Sequence, residues 1–284
     1  MRRTPRVLAV GGSDSGGGAG IEADLKTITA LGGYGATAIT ALTAQDSRGV
    51  HDILPIPAFF TARQIALVLA DIGADAIKTG MLGDAAMVEA VAGAIAAHGR
   101  GIPLVIDPVL RATDGRTLLA PAAVATLKRA LLPLATLLTP NLPEAEALGG
   151  MRIPDLAAMK AAAAALRGLG VPAVLLKGGH LAGDTVADVL AWDGGMETFT
   201  APRIPTRHTH GTGCTLASAI ATHLAGGLAL VEAVARGREF LRAALLAAPG
   251  FGAGNGPLGH AAAGRARPAP ARYSAAARTA PASR

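Results

Sequence analysis

The chain has one cysteine, Cys214, which excludes an internal disulfide and suits a reducing compartment. Aromatic residues make up only 3%, so the core has to be built from Ala, Leu, Val and Ile. Long apolar runs are also missing. After the basic start Met1-Arg2-Arg3-Thr4-Pro5-Arg6, the apolar segment 7–10 is too short for the apolar region of a signal peptide. Longer Ala/Leu stretches are broken by charge or proline, as in Leu127-Lys128-Arg129-Ala130-Leu131-Leu132-Pro133, so none reads as a membrane span. These absences predict a soluble, cytoplasmic protein.

The charge is +6 with an isoelectric point near 10.1, but it is unevenly placed. Residues 261–284 hold Arg265, Arg267, Arg272, Arg278 and Arg284 with no acid, which leaves +1 over residues 1–260. That Ala/Pro/Arg/Ser-rich end has no apolar periodicity and reads as a disordered, solvating tail. Without interleaved aromatics or a binding-domain motif, it gives no reason to expect a nucleic-acid partner.

The 284 residues are 51% hydrophobic, which is ample for one large core. Short β-type runs at 7–10, 36–42, 76–78, 104–106, 136–138 and 173–176 alternate with helix-length segments at 21–31, 62–71, 85–97, 121–130, 143–148 and 155–169. Such alternation predicts βαβ units around a largely parallel sheet with helices on both faces. Asp188-Val189-Leu190-Ala191-Trp192, then Asp193-Gly194-Gly195 and 196–200, reads as an edge hairpin. The expected organisation is one α/β domain over residues 1–260 and a tail over 261–284.

Ligands of such sheets bind beyond the carboxyl ends of the strands, so what each strand delivers there is decisive. The first runs into Gly11-Gly12-Ser13-Asp14-Ser15-Gly16-Gly17-Gly18-Ala19-Gly20 and a helix with Asp24. No Gly-Lys-Ser/Thr follows, so it is not a P-loop, and its spacing does not fit a dinucleotide fingerprint. The second ends at Gln45, whose carboxamide can both donate to and accept from a heterocycle. The third delivers Met81, able to lie on a flat ring or simply to fill core. The fourth places Asp107 at its terminus, ahead of Val109. The fifth leads into Asn141-Leu142-Pro143-Glu144, which has the form of a helix-capping arrangement. The sixth ends in Lys177-Gly178-Gly179-His180, a cation able to neutralise phosphate oxygens.

The sharpest signal is His210-Gly211-Thr212-Gly213-Cys214-Thr215, directly before the apolar helical run 216–224. A Gly-x-Gly turn opening a helix gathers unpaired N–H groups at the positive end of the helix dipole, where a phosphate or a transferring phosphoryl group is held. A thiol at such a place is expected to have a lowered pKa and to serve as a proton acceptor beside the anion hole.

Taken in order, these segments resemble the bacterial hydroxymethylpyrimidine/phosphomethylpyrimidine kinases of the ribokinase-like superfamily, over roughly residues 7–260. The resemblance rests on Gly12-Ser13-Asp14-Ser15-Gly16-Gly17-Gly18-Ala19-Gly20-Ile21, Thr43-Ala44-Gln45, Lys78-Thr79-Gly80-Met81-Leu82, Thr139-Pro140-Asn141-Leu142-Pro143-Glu144-Ala145, Lys177-Gly178-Gly179-His180 and Thr209-His210-Gly211-Thr212-Gly213-Cys214-Thr215. It implies a three-layer ribokinase-like fold, a homodimer, and two successive transfers from Mg–ATP. The first goes to the hydroxymethyl group of 4-amino-5-hydroxymethyl-2-methylpyrimidine and the second to the resulting monophosphate.

Carried onto this chain, the resemblance implies that Gln45 binds the aminopyrimidine edge and that Met81 and Val109 border the ring. Gly12 and Asp24 fall in the substrate-side segment. Asn141 and Glu144, with Asp107, fall on the Mg–ATP side, with Asp107 and Glu144 toward the metal and Lys177 on phosphate oxygens. Cys214 stands where sugar kinases of the superfamily carry an aspartate base, and the amides of residues 211–214 stabilise the transferring phosphoryl. Glu22 and His208 depart from the commoner residues. A pyridoxine or pyridoxal kinase is the neighbouring alternative. A non-catalytic pyrimidine-binding protein is disfavoured by Lys177, Glu144 and Cys214 standing together, and polyanion binding by the tail is a third reading.

Overall fold

The computed structural model describes residues 3–112 and 115–265. The chain runs β1 (Arg6–Gly11), α1 (Gly20–Ala30), β2 (Tyr34–Ile39), β3 (Ala41–Gln45), β4 (Val50–Pro55), α2 (Ala58–Asp71), β5 (Ala76–Thr79), α3 (Ala85–His98) and β6 (Leu104–Ile106). It continues with α4 (Ala123–Thr126), β7 (Leu137–Leu138), α5 (Leu142–Gly149), α6 (Leu156–Arg167), β8 (Ala173–Leu176), β9 (Thr185–Trp192), β10 (Gly195–Pro202), α7 (Thr212–Ala225), α8 (Leu230–Leu246) and α9 (His260–Arg265). An eight-stranded sheet has the order β10-β9-β8-β7-β6-β5-β1-β2. The pairings from β2 to β8 are parallel, and the β9–β10 hairpin lies antiparallel at one edge.

The central strands are apolar throughout because helices cover both faces. Leu8, Ile77, Leu104, Ile106 and Val174 pack toward one layer with Ile65, Val88 and Ala162. Val7, Ala76, Val105, Leu137 and Leu175 pack toward the other with Leu216, Ile220 and Val234. The switch from Leu104 to Val105 to Ile106 across the two cores is the period-2 alternation of a strand. Helix starts follow local chemistry: Asp84 accepts from the Met87 N–H and Asp155 from the Ala158 N–H.

Three expectations change. The run 36–42 is not one strand, because the chain leaves the sheet at Thr40. The Thr40 N–H still donates to the Gly11 carbonyl, but its hydroxyl donates to the Met81 carbonyl, and the next residues pair with β4 as a separate two-stranded ribbon. The helix expected over 121–130 is a short α4 that loosens into a π-helical turn, Leu127–Leu131, and a 3-10 turn ending at Leu134 ahead of β7. The boundary expected after residue 260 falls within α9, where Ala263 is buried against the third core cluster. The rest of the tail, 266–284, lies outside the described residues. No helix among the described residues is long and apolar enough to cross a membrane.

Candidate active site

The carboxyl ends of β1, β5, β6, β7 and β8 open into one cavity of about 640 Å³, lined by each catalytic, substrate, nucleotide and metal residue expected from the sequence, though not by Glu22 or His208. Its centre is the turn into α7. Gly211 has φ +85°, and a Cβ there would stand 1.9 Å from the Gly18 carbonyl oxygen, so only glycine lets the turn press against the first loop. Across the cavity, a Cβ on Gly213 would stand 3.1 Å from Asp107 Oδ2 and 3.3 Å from Lys177 Nζ. The helix N-terminus, the acid and the ammonium therefore face one small space. Lys177 donates to Asp107 Oδ1 at 2.9 Å, and the pair is largely buried. Burial alone would push Lys177 down, but Asp107 and Glu144 outweigh it and hold its pKa above the ordinary lysine value.

Asn141 and Glu144 do form a capping box. Asn141 Oδ1 accepts from the Glu144 N–H at 2.9 Å, and Glu144 Oε2 accepts from the Asn141 N–H at 2.8 Å. The capping also aims a buried acid at the Lys177–Asp107 pair. Burial, together with the Asp107 charge, raises the Glu144 pKa against the pull of Lys177.

At the opposite end, Gly12 leaves room for Met81: a Cβ on Gly12 would stand 3.0 Å from the Met81 sulfur. Gln45 closes this end. Thr43 Oγ1 donates to Gln45 Oε1 at 3.2 Å, and Gln45 Nε2 lies 3.2 Å from His210 Nε2. The same imidazole nitrogen lies 2.8 Å from Asp14 Oδ2. A protonated Nε2 donates to Asp14, which leaves the Gln45 amide hydrogens for a ligand. Burial would raise the Asp14 pKa, but His210 and the N–H groups of Ala19 and Gly16 bring it below the usual carboxylate range.

Two expectations are corrected. The helix terminus was expected to lower the Cys214 pKa, yet burial and the carboxylates of Asp24 and Asp107 raise it to about 11, against Lys78 and the Gly20 N–H. Asp24, expected in the substrate-side segment, is fully buried with its carboxylate engaged. Both oxygens accept from Lys78 Nζ at 2.9 Å, and Ser218 Oγ donates to Oδ1 at 2.7 Å. That pair fastens α1 to β5 and α7, and the carboxylate beside it holds Lys78 charged.

Sequence reasoning missed Asp14, Lys78 and His210. A lysine inside the apolar strand Ala76–Thr79 was itself a signal, since a lysine is seldom buried unpaired. It also missed three arginines that line the far end of the cavity. Arg203 donates to the carbonyls of Gly179 and Gly183, Arg238 donates to Asp188, and Arg242 donates to the Pro202 carbonyl. Among the described residues no group of three or more His, Cys, Asp or Glu side chains is placed to hold a metal ion.

A ribokinase-like sheet whose strand ends bring a glycine-rich helix terminus, a lysine and paired acids into one cavity defines a small-molecule kinase. The phosphomethylpyrimidine kinase family model matches residues 14–259, and the chain belongs to that family. It is 49% identical over 257 residues to the hydroxymethylpyrimidine/phosphomethylpyrimidine kinase of Streptomyces coelicolor, covering 90% of this chain and 94% of the relative. It is 50% identical over 264 residues to the thiamine biosynthesis bifunctional protein ThiED of Geobacter sulfurreducens, covering 91% of this chain and 54% of that longer protein. Among solved structures, the pyridoxal kinase of Staphylococcus aureus in complex with ADP superposes with a TM-score of 0.85 at 34% identity, covering 93% of this chain and 96% of that one.

Proposed function

We propose that this protein transfers phosphoryl groups from ATP first to the hydroxyl of 4-amino-5-hydroxymethyl-2-methylpyrimidine and then to the monophosphate so formed. The observation that carries this is the Gly213 turn facing Lys177 and Asp107, where a Cβ on Gly213 would stand 3.1 Å from Asp107 Oδ2 and 3.3 Å from Lys177 Nζ, in a cavity also lined by Gln45, Met81 and three arginines. The ring lies between Gly12, Met81 and Val109, with Gln45 pairing to its amino edge. The nucleotide enters past Arg203 and Leu241, and its terminal phosphate meets Lys177.

The residues present fit a magnesium ion. Asp107 is close enough to help raise the Glu144 pKa, and Mg²⁺ is commonly held by one or two carboxylates plus phosphates and water rather than by a protein cage. When bound, the ion neutralises phosphate oxygens. Asp107 and Glu144 would hold it, while Lys177 and the amides of residues 211–214 meet the transferring phosphoryl.

The Cys214 pKa, raised to about 11 by burial and by the Asp24 and Asp107 carboxylates, argues against a standing thiolate as the base. The transition state is loose, so the hydroxyl keeps its proton until late, and oxygens of the transferred group can take it. Positioning and charge neutralisation then carry the rate.

Two copies of the chain form the working unit in this reading, because β4 and α2 expose Leu54, Phe59, Phe60 and Leu67 to an extent that favours a protein neighbour. Sedimentation of the full chain at micromolar concentration gives twice the mass of one chain if this holds. The substrate is tested with purified protein, Mg–ATP and the pyrimidine alcohol, following mono- and diphosphate by mass, with pyridoxal in parallel. Preference for pyridoxal would replace this reading with the vitamin B6 one that the Staphylococcus aureus structure favours.

A further inference from the structure

Six lysines and arginines line the cavity, and five of them are already engaged by the protein. Lys78 is held by Asp24, Lys177 by Asp107 and Arg238 by Asp188, while Arg203 and Arg242 donate to backbone carbonyls. Among the described residues, Arg111 is the one lining cation with no hydrogen-bond or ion-pair partner.

Its place is built. After β6, residues 110–112 pair with residues 116–118: the Leu118 N–H donates to the Leu110 carbonyl, the Ala112 N–H donates to the Arg116 carbonyl, and Arg111 bridges Thr117. This paired segment is braced on both sides. The Arg116 guanidinium donates to the Val50 carbonyl of the β3–β4 ribbon at 2.6 Å, and the Ala120 N–H donates to the Gly83 carbonyl at 2.9 Å. Ala112, next to Arg111, shares a small recess with Gln45, Val50 and His210, which sets this segment at the acceptor end of the cavity.

We propose that Arg111 binds the phosphate of the monophosphate acceptor and so equips the cavity for the second transfer. This deepens the functional reading above and rests on it. The alcohol brings no charge to the acceptor end, whereas a phosphate monoester brings about −1.5 to −2 at pH 7. In the second step the accepting oxygen also lies one phosphorus–oxygen unit further from the ring, so added charge must be met on the acceptor side of the Gly213 turn. Lys177 is already ion-paired with Asp107 and, in the reading above, meets the terminal phosphate of the nucleotide. An unpaired guanidinium on a braced segment meets that need with its planar donor fork.

The test is the ratio of kcat/KM for the pyrimidine alcohol to kcat/KM for its monophosphate, in the wild-type full chain and in Arg111→Ala and Arg111→Lys. The expected result is a shift of about tenfold or more against the monophosphate in Arg111→Ala, the size of a lost charge-assisted hydrogen bond, with Arg111→Lys in between. KM for the monophosphate also rises with salt more steeply in wild type than in Arg111→Ala. A ratio within twofold of wild type, or equal losses on both acceptors, overturns the proposal; equal losses would assign Arg111 to the nucleotide. If wild type turns over neither acceptor, the functional reading fails. Calorimetric titration of the monophosphate into wild type and Arg111→Ala then decides the phosphate site alone: equal affinity sinks it, and weaker binding by the variant sustains it. Unchanged circular dichroism and Tm exclude misfolding as the cause.

Discussion

Replacing Gly213 by alanine separates chemistry from folding. Gly213 lies in the first turn of α7, its φ is not positive, and alanine is the better helix former by up to about 1 kcal/mol, so the backbone accepts the change. The new methyl would stand 3.1 Å from Asp107 Oδ2 and 3.3 Å from Lys177 Nζ, close but against side-chain tips that can yield by a few tenths of an ångström. It would occupy the space assigned to the migrating phosphoryl group and displace its oxygens by about 1 Å from the helix amides, a misplacement of the kind that costs about a hundredfold. The expected outcome is kcat lowered by about 10², with Tm unchanged or slightly raised, measured by ADP release under saturating Mg–ATP and by calorimetry. Gly211→Ala is the contrast. At φ +85°, with a Cβ 1.9 Å from the Gly18 carbonyl, it loses stability first, and Tm falls by several degrees. A Gly213→Ala enzyme within threefold of the wild-type kcat would show that the phosphoryl group does not pass through this space.

Further outcomes follow from the charges. Cys214→Ser is expected to lower kcat by less than about tenfold. The pH–rate profile between 7 and 9 should lack a tenfold rise per unit; such a rise, or a thousandfold loss, would restore the thiolate base. Glu144→Gln keeps an oxygen able to accept from the Asn141 N–H, so its effect on Tm is small, while the Mg²⁺ concentration for half-maximal rate rises about tenfold or more. An unchanged magnesium requirement would remove Glu144 from the metal. His260, buried against the Thr215 hydroxyl, has a pKa lowered to about 4, so it folds neutral. Between pH 6.5 and 4 the unfolded chain binds the extra proton, so stability present above 6.5 is lost as pH falls, by roughly 3 kcal/mol for this group. His260→Gln should therefore show a smaller fall in denaturant midpoint between pH 7 and 4.5 than wild type, and equal falls would refute the assignment.

The sheet was legible because its signal is local. Strands such as 104–106 and 173–176 are apolar on both faces and bounded by turn residues, so burial between two helical layers follows from composition alone. The break at Thr40 was not legible. It depends on hydrogen bonds to Gly11 and Met81, which are distant in sequence, and the β-prone run 36–42 reads as continuous without them. Helix α9 was hidden because Ala-rich sequence next to an Arg/Pro-rich tail looks like more tail; it is held by packing on α1 and α8 and by the Thr215–His260 bond.

The site divides the same way. Gly211, Gly213, Asn141 and Glu144 were readable because turn and capping rules act within four residues. The state of Cys214 was not, for a reason that applies to any thiol at a helix terminus. The dipole lowers its pKa through a local field worth at most about 2 kcal/mol. Here the neighbours that count come from other strands and helices: Asp24 from α1, Asp107 from the end of β6, and the partial burial of the thiol. Those terms act in low dielectric, where charges at a few ångströms outweigh the partial charge of a helix end. The anion hole proposed at this turn is thus compatible with a cysteine whose pKa is raised. The two properties are compatible because backbone N–H groups, unlike a thiolate, need no ionisation to hold a phosphate.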